Sequence, residues 1–283
     1  MLPSSFDLRN LIEVGKVGNI TRAAQRLGMA QPSLSQSIRK LERALGATLL
    51  IRGKSGVSLT RAGKRVFSRA QELLSSWEGI QADAMGEEEG IQGVFALGCH
   101  PSVAEYTLPL FLPRLLSEHP GLRFRLVHDL SRKVVDQVVA REVDLGIAVN
   151  PVRHPDLVLI PLGEDSFSLW HSPKKRGSDA LFCDPDLAQV QWLLPRLSKR
   201  GLRYSQIIPS ASLEVAASLA ASGAGYALLP GSVAKPRRKE GLAKLDSAFP
   251  EYRDRVYLVY RSDAMRSRAG KLLVSTIKGC AFG

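Results

Sequence analysis

The side chains with the clearest chemical potential share one face of a short segment: Gln31, Ser33, Gln36, Ser37, Arg39, Lys40 and Arg43. Gln can bond bidentately to adenine, Arg suits guanine or phosphate, and Ser adapts as donor or acceptor. Just beyond lies Arg52-Gly-Lys-Ser-Gly56, with Lys54 at its centre. A basic, glycine-rich tip of this kind can lie along phosphates or carry Arg52 into a minor groove. Gly53-Lys-Ser also resembles the end of a P-loop, but the upstream glycine and the following helix are missing, so that reading is set aside. Cys99, beside His100 and a helix start, is a candidate redox thiolate; the plainer reading is a quiet thiol. His100, His119, His128, His154 and His171 show no metal-ligand spacing. No Ser-His-Asp order can be assigned. The expectation is a protein that is not an enzyme and needs no cofactor or metal.

The elements that must position these residues follow from periodicity. Leu8, Leu11 and Ile12 share a helical face over 6–15, with Gly15 and Gly18 as stops. A short helix over 21–27 turns Ala23, Ala24 and Leu27 inward, and Gly28 breaks it. Gln31-Pro32 opens a third helix, whose apolar positions Leu34, Ile38, Leu41 and Leu45 lie opposite the polar face. This is a helix-turn-helix pattern, the alternative being a solvated amphipathic helix in a small bundle. Two β-type runs around 49–60 make Arg52–Gly56 the tip of a hairpin, a wing. After Thr60 as a cap, Val66, Ala70, Leu73, Trp77 and Ile80 recur at alternating spacings of four and three. That is a coiled-coil-like seam suited to a dimer contact. Glu87-Glu-Glu-Gly90 follows as an acidic hinge. From Ile91 the texture becomes α/β. Strands are expected at 94–98, 124–128, 145–149, 167–171, 181–184, 190–194, 226–229 and 256–260. Helices are expected at 103–117, 132–141, 212–222 and 264–278.

Charge follows the same division. The chain of 283 residues carries +12, yet residues 1–70 hold 13 Lys and Arg against 3 Asp and Glu, a local +10. The remainder, 26 against 24, is nearly neutral. A basic head on a neutral body points to a polyanion bound by the head alone. A fraction of 45% apolar residues excludes disorder, and three cysteines cannot build a disulfide framework, which suggests a reducing cytoplasm. The uncharged stretch 215–234 approaches the length of a membrane span. Its glycines, serines and Pro230 make it instead a buried helix, a turn and a buried strand, so no membrane association is expected. The basic runs 174–176, 199–200 and 235–239 read as solvated loops.

Several blocks at consistent spacing resemble the LysR-type transcriptional regulators: Gly18-Asn-Ile-Thr-Arg-Ala-Ala-Gln-Arg-Leu, Ala30-Gln-Pro-Ser-Leu-Ser-Gln-Ser-Ile-Arg-Lys-Leu-Glu, Leu49 to Arg52, and Leu59-Thr-Arg-Ala-Gly63. More loosely, so do Pro120-Gly-Leu-Arg-Phe-Arg-Leu, Glu142-Val-Asp-Leu-Gly-Ile and Ser222-Gly-Ala-Gly-Tyr-Ala-Leu-Leu-Pro230. The resemblance implies a multidomain protein with three parts. Residues 1–60 form an all-α-type winged helix-turn-helix head and 61–90 a long linker helix that dimerises. Residues 91–283 form an α/β two-lobed, periplasmic-binding-protein-like (type II) effector domain, lobe I at about 91–150 and 251–283, lobe II at about 155–250. Such proteins assemble as homodimers or homotetramers on double-stranded DNA, and contact with RNA polymerase is a further expected partnership. By position, Thr21, Gln31, Pro32, Ser33, Ser35, Gln36, Arg39, Arg52 and Lys54 fall to DNA, and Val66, Ala70, Leu73, Trp77 and Ile80 to dimerisation. Ala30 stands where a capping Ser or Thr is usual, and Leu50 where Phe is usual. In the fold so implied, a small effector sits at strand ends and helix starts between lobes. That selects Cys99, His100, Ser102, Ser131, Val149 and Asn150, with a small anion as a candidate ligand. The alternative is a solute-binding or enzymatic α/β protein whose head binds nucleic acid without specificity.

Overall fold

The computed structural model describes residues 4–53, 56–84, 91–173, 179–245, 249–265, 267–280 and 282. Lys54, the acidic run 87–89, the basic run 174–176 and, within the long helix, the side chains of 72, 75–76 and 78–84, including Ile80, lie outside the described residues. The chain divides into two compact units, residues 1–89 and 90–283.

The first unit contains α1 (Ser5–Val17), α2 (Ile20–Arg26), α3 (Gln31–Leu45), the hairpin β1 (Leu50–Gly53) and β2 (Gly56–Leu59), and α4 (Arg61–Ala84). A reciprocal capping box starts α1: Ser4 Oγ accepts from Asp7 N at 3.1 Å, and Asp7 accepts from Ser4 N. Gly18, at φ 65°, is the left-handed cap that ends it. Gly15 does not end the helix but lies within it, and its lack of a side chain admits the Phe67 ring, which a Cβ there would meet at 2.7 Å. Leu11, Leu34, Ile38, Leu41 and Leu49 are fully buried between these helices and the hairpin. Leu45, at the last position of α3, lies beyond them and is 42% exposed.

Two further residues of α3 and α4 depart from the expected faces. Ser37 turns inward, donating to Asp7 Oδ1 at 2.8 Å and accepting from Asn10 Nδ2 at 2.8 Å. These bonds join α1 to α3 through Asn10 Nδ2, Ser37 Oγ and Asp7 Oδ1, while Asn10 Oδ1 is buried without a partner. In α4, Phe67, Ala70 and Leu74 belong to the head's own core, so Ala70 is buried within this unit. Val66 is half-buried against the same core, whereas Leu73 and Trp77 are 58% and 49% exposed. The apolar stripe is therefore split between an inner and an outer face.

The second unit begins with β3 (Gln92–Cys99), α5 (Pro101–Thr107), α6 (Leu112–Glu118), β4 (Gly121–His128), α7 (Ser131–Val139) and β5 (Leu145–Val149). The helix expected over 103–117 is broken by a 3-10 turn at Leu108–Leu110, and Pro109 and Pro113 restart the chain there. Next come β6 (Leu157–His171), β7 (Ala180–Cys183), α8 (Ala188–Lys199), β8 (Ile207–Pro209), α9 (Leu213–Ala221), β9 (Gly225–Pro230) and α10 (Gly231–Ala234). β10 (Ala243–Lys244), β11 (Tyr252–Arg261) and α11 (Arg268–Lys278) complete it. Residues 190–194, expected as a strand, lie in α8, whose buried Val190, Leu193 and Leu197 recur at helical spacing. A short apolar run fits either period, and here helical packing decides. The uncharged stretch 215–234 falls on α9, β9 and α10, and no helix among the described residues is long and apolar enough to cross a membrane.

The sheet order is β4-β3-β5-β11-β6-β9-β7-β8, with β10 beside β6. Parallel pairs occupy each end, β3 with β4 and β5, and β7 with β8 and β9. The two ends pack on separate cores, one around Leu97, Phe111 and Ile147, the other around Phe167, Trp170 and Leu193. β6 and β11 run antiparallel through both, paired from Tyr252↔Phe167 to Arg261↔Leu157 with a register shift between Val256 and Tyr257. Ile160 and Leu162, expected in lobe II, pack against the first core because β6 enters the sheet beside β11 on that side.

Candidate DNA-reading face and effector cleft

On the head, α3 starts from Ala30 in an extended conformation with no side-chain cap, and Pro32 stands in its first turn. Gln31, Pro32, Ser33, Gln36, Arg39, Lys40 and Arg43 are exposed, as are Thr21 on α2 and Arg52 on β1. Ser35, expected to meet bases, is instead buried and accepts from Gln31 Nε2 at 2.8 Å, since the helical repeat turns it toward the core side. That bond holds the Gln31 amide on the helix surface. Glu42 Oε1 accepts from Leu49 N at 2.8 Å and Leu50 N at 3.3 Å, tying the end of α3 to the start of the wing. Leu50 is buried and serves the core that Phe would serve. Asp7, almost fully buried, experiences the upward push of burial, yet hydrogen bonds from Ser37 and Ser4 and the Lys40 charge hold it below the ordinary carboxylate range.

In the second unit a cleft of about 390 Å³ opens between the two cores, lined from both sides. It brings together His100, Ser102, Ser131, Val149 and Asn150. Cys99 is not among them. It is fully buried in the first core, and burial pushes its thiol up to about 12, so neither its neighbour His100 nor the helix start yields a thiolate. His100 caps α5, its Nδ1 accepting from Ser102 N at 3.3 Å, which leaves the neutral ring's proton on Nε2. Burial lowers its pKa, opposed by the nearby Glu214 and Asp184 carboxylates. The Ser102 hydroxyl is buried without a hydrogen-bond partner; it lies near enough to Glu214 to lower that carboxyl, but not in bonding geometry. Ser131 Oγ accepts from Val149 N at 3.0 Å, joining the start of α7 to the end of β5 and leaving its own proton available. Asn150, at φ 48°, accepts on Oδ1 from Arg255 N at 2.9 Å.

The remaining lining was missed by sequence reasoning. It includes Tyr106, Phe167 and Tyr252, and the acids Asp136, Asp165, Asp186 and Asp254, with Arg132 as the one side-chain cation among the described lining residues. Asp254 is 3% exposed and its Oδ1 accepts from Asn150 Nδ2 at 2.6 Å and Gln189 Nε2 at 2.9 Å. Burial raises its pKa to about 6; the two amides oppose this and Asp165 adds to it. A signal for Asp254 existed: in Tyr252-Arg-Asp-Arg-Val256 it occupies the inward phase of a strand, between two residues that face the interior.

Comparison with known proteins covers both units. A family model described as "LysR substrate binding domain" matches residues 88–279, and one described as "Bacterial regulatory helix-turn-helix protein, lysR family" matches residues 6–64. A "Probable hydrogen peroxide-inducible genes activator" from Mycobacterium leprae is 29% identical, spanning 97% of this chain and 93% of its own length. Among solved structures, ArgP from Mycobacterium tuberculosis superposes with a TM-score of 0.76 at 16% identity, covering 100% of this chain and 98% of the other. Full-length OxyR from Pseudomonas aeruginosa does so with a TM-score of 0.72 at 22% identity, covering 99% of each.

Proposed function

The chain belongs to the LysR family of bacterial transcription regulators, and from that premise we propose how this member divides the work. It is a DNA-binding regulator with an effector-binding domain, not an enzyme. The exposed face of α3 reads double-stranded DNA through Gln31, Ser33, Gln36 and Arg39, while Thr21 and Arg52 fix the head on the backbone. A homodimer or homotetramer, joined in part through Leu73 and Trp77, sets two heads on half-sites. A small molecule in the cleft changes the closure of the lobes and so the regulator's engagement of DNA and RNA polymerase in the cytoplasm. The observation that carries this reading is the exposed polar and basic face on α3, set on an apolar core that keeps it rigid.

Thiol oxidation is not the signal we assign to it. The relative's name refers to hydrogen peroxide, but a sensing thiol must be an accessible thiolate. Here Cys99 and Cys183 are fully buried, with thiols raised by burial to about 12 and about 11; Cys280 is half-buried, and burial raises its thiol against the opposing charge of Arg114. The effector is therefore read as a ligand of the cleft. Binding to a duplex from upstream of its own gene, compared with a random duplex at moderate salt, tests the regulator reading. Equal affinities with a steep salt dependence would favour non-specific binding instead.

A further inference from the structure

The cleft lining contains four carboxylates, Asp136, Asp165, Asp186 and Asp254, and among its described residues one side-chain cation, Arg132. Asp254 on β11 and Asp165 on β6 are direct partners across the antiparallel pair, and both line the cavity. Like charges placed opposite each other across two strands destabilise the sheet. Asp165 is satisfied by backbone donors, from Ser166 N at 2.7 Å and Ser232 N at 3.0 Å. Asp254 has only the two neutral amides, both on Oδ1. Among the described residues Oδ2 accepts no hydrogen bond, and no Lys, Arg or His ion-pairs with either oxygen. Charges this deep in a protein are ordinarily paired, so an unpaired one marks a place where a partner is missing.

The surroundings say what kind of partner. Tyr106, Phe167 and Tyr252 line the same cavity, and aromatic faces attract cations. Tyr252 is fixed by an edge contact with Trp192, ring centroids 5.3 Å apart. Burial raises the Tyr106 phenol, and Asp165 and Asp254 raise it further, which reports a negative field across the cavity. A second polar group lines the cavity: Ser102 is 2% exposed, and its hydroxyl lies beside Glu214 without a hydrogen bond of good geometry. Among the described residues the acids of the lining do not gather three together as a calcium or magnesium site requires.

The geometry points to a small organic cation as the effector class, a protonated amine whose N–H groups meet Asp254 Oδ2 and whose apolar body lies among Tyr106, Phe167 and Tyr252. This rests on the reading of the cleft as the effector site. The amine supplies the missing charge, and Asp254 links it to both sides of the cleft, since Asn150 follows β5 and Gln189 opens α8. Ligand charge is thereby felt at the point where β6 and β11 pass between the cores.

The test uses the full chain and two sets of compounds that differ only in their end group: phenethylamine, phenethyl alcohol and phenylacetate, and butylamine, butanol and butyrate. Calorimetry and melting shifts at pH 7.5 should show at least one amine binding about tenfold more tightly than its neutral and anionic twins. Asp254→Asn should reduce that preference to about threefold or less. The wild-type comparison stands by itself if the variant fails to fold. Preference for a carboxylate, stabilisation by magnesium or calcium in place of the amines, or no binding by any of the six overturns the assignment. A carboxylate preference would refute the cation while leaving the cleft as an effector site. A bound compound of any charge that leaves duplex affinity unchanged would instead refute the reading of the cleft itself.

Discussion

The head and the sensor each bury an aspartate to nearly the same depth, and the two carboxylates shift in opposite directions. Asp7 is 4% exposed and Asp254 is 3% exposed. Asp7 closes a capping box, accepts from Ser37 and faces Lys40 at 3.5 Å, so it is held in its charged form. Asp254 has two amides and a second carboxylate across the strand, so it is pushed toward its neutral form. Depth alone therefore says little about a buried acid. A carboxylate surrounded by hydroxyl donors and a cation is part of the fold, whereas one left with neutral donors is held ready for something else. The head places its working charges outside on a rigid helix; the sensor places them inside a cavity.

The comparison breaks most directly at Asp7. Asp7→Ala removes the capping partner and strands Ser37 and Asn10, and it should cost about 3 kcal/mol, read as loss of the head's transition in chemical denaturation. A loss below about 1 kcal/mol would mean the network is ornamental to the head. Asp254→Asn should do the reverse. A buried acid raised from 3.8 to about 6 is neutral in both folded and unfolded chains below pH 4. Above pH 6 it is charged in both, so its cost in the folded state develops as pH rises between those values. At about 1.4 kcal/mol per unit, the variant should be more stable at pH 7 by up to about 3 kcal/mol, the gain fading toward pH 4. A variant no more stable than wild type at pH 7 would show that Asp254 is already paired.

Smaller effects sharpen the same contrast. Trp77→Asp places a charge on the outer stripe of α4 and should weaken association by about 2 kcal/mol, visible as smaller species on sizing at low concentration. If the variant remains as large as wild type, the exposed stripe is not a subunit contact. Arg52→Ala should weaken binding to every duplex by about 1 kcal/mol and lower the salt slope by about one, whereas Gln31→Ala should act on sequence discrimination.

The head was legible because its core stripe and its polar face follow one period over α3. What escaped were the residues where a second requirement intervened. Ser37 is polar yet inward because Asp7 and Asn10 await it, and Ala70 is apolar yet unavailable to a partner because it is buried within the head. The α/β succession was readable, but only the end of β6 was, since Pro161, Gly163, Glu164 and Asp165 interrupt its alternation. Of the cleft, the loop ends at His100, Ser102, Ser131 and Asn150 could be placed from element boundaries. Asp254 could be seen only by taking strand phase seriously for a charged residue. Cys99, expected in the cleft from its place at a strand end, turns its side chain into the first core, where burial keeps it the quiet thiol of the plainer reading.

The register between β6 and β11 also has a mechanical meaning. Two ribbons bonded to each other over ten matched positions resist shear far more than two independent tethers would. The one irregularity in this pairing is the register shift between Val256 and Tyr257, two residues beyond Asp254. A molecule bound beside Asp254 would therefore sit against a paired sheet rather than a loose linker, and any movement it caused between the two cores would have to twist ten matched positions together.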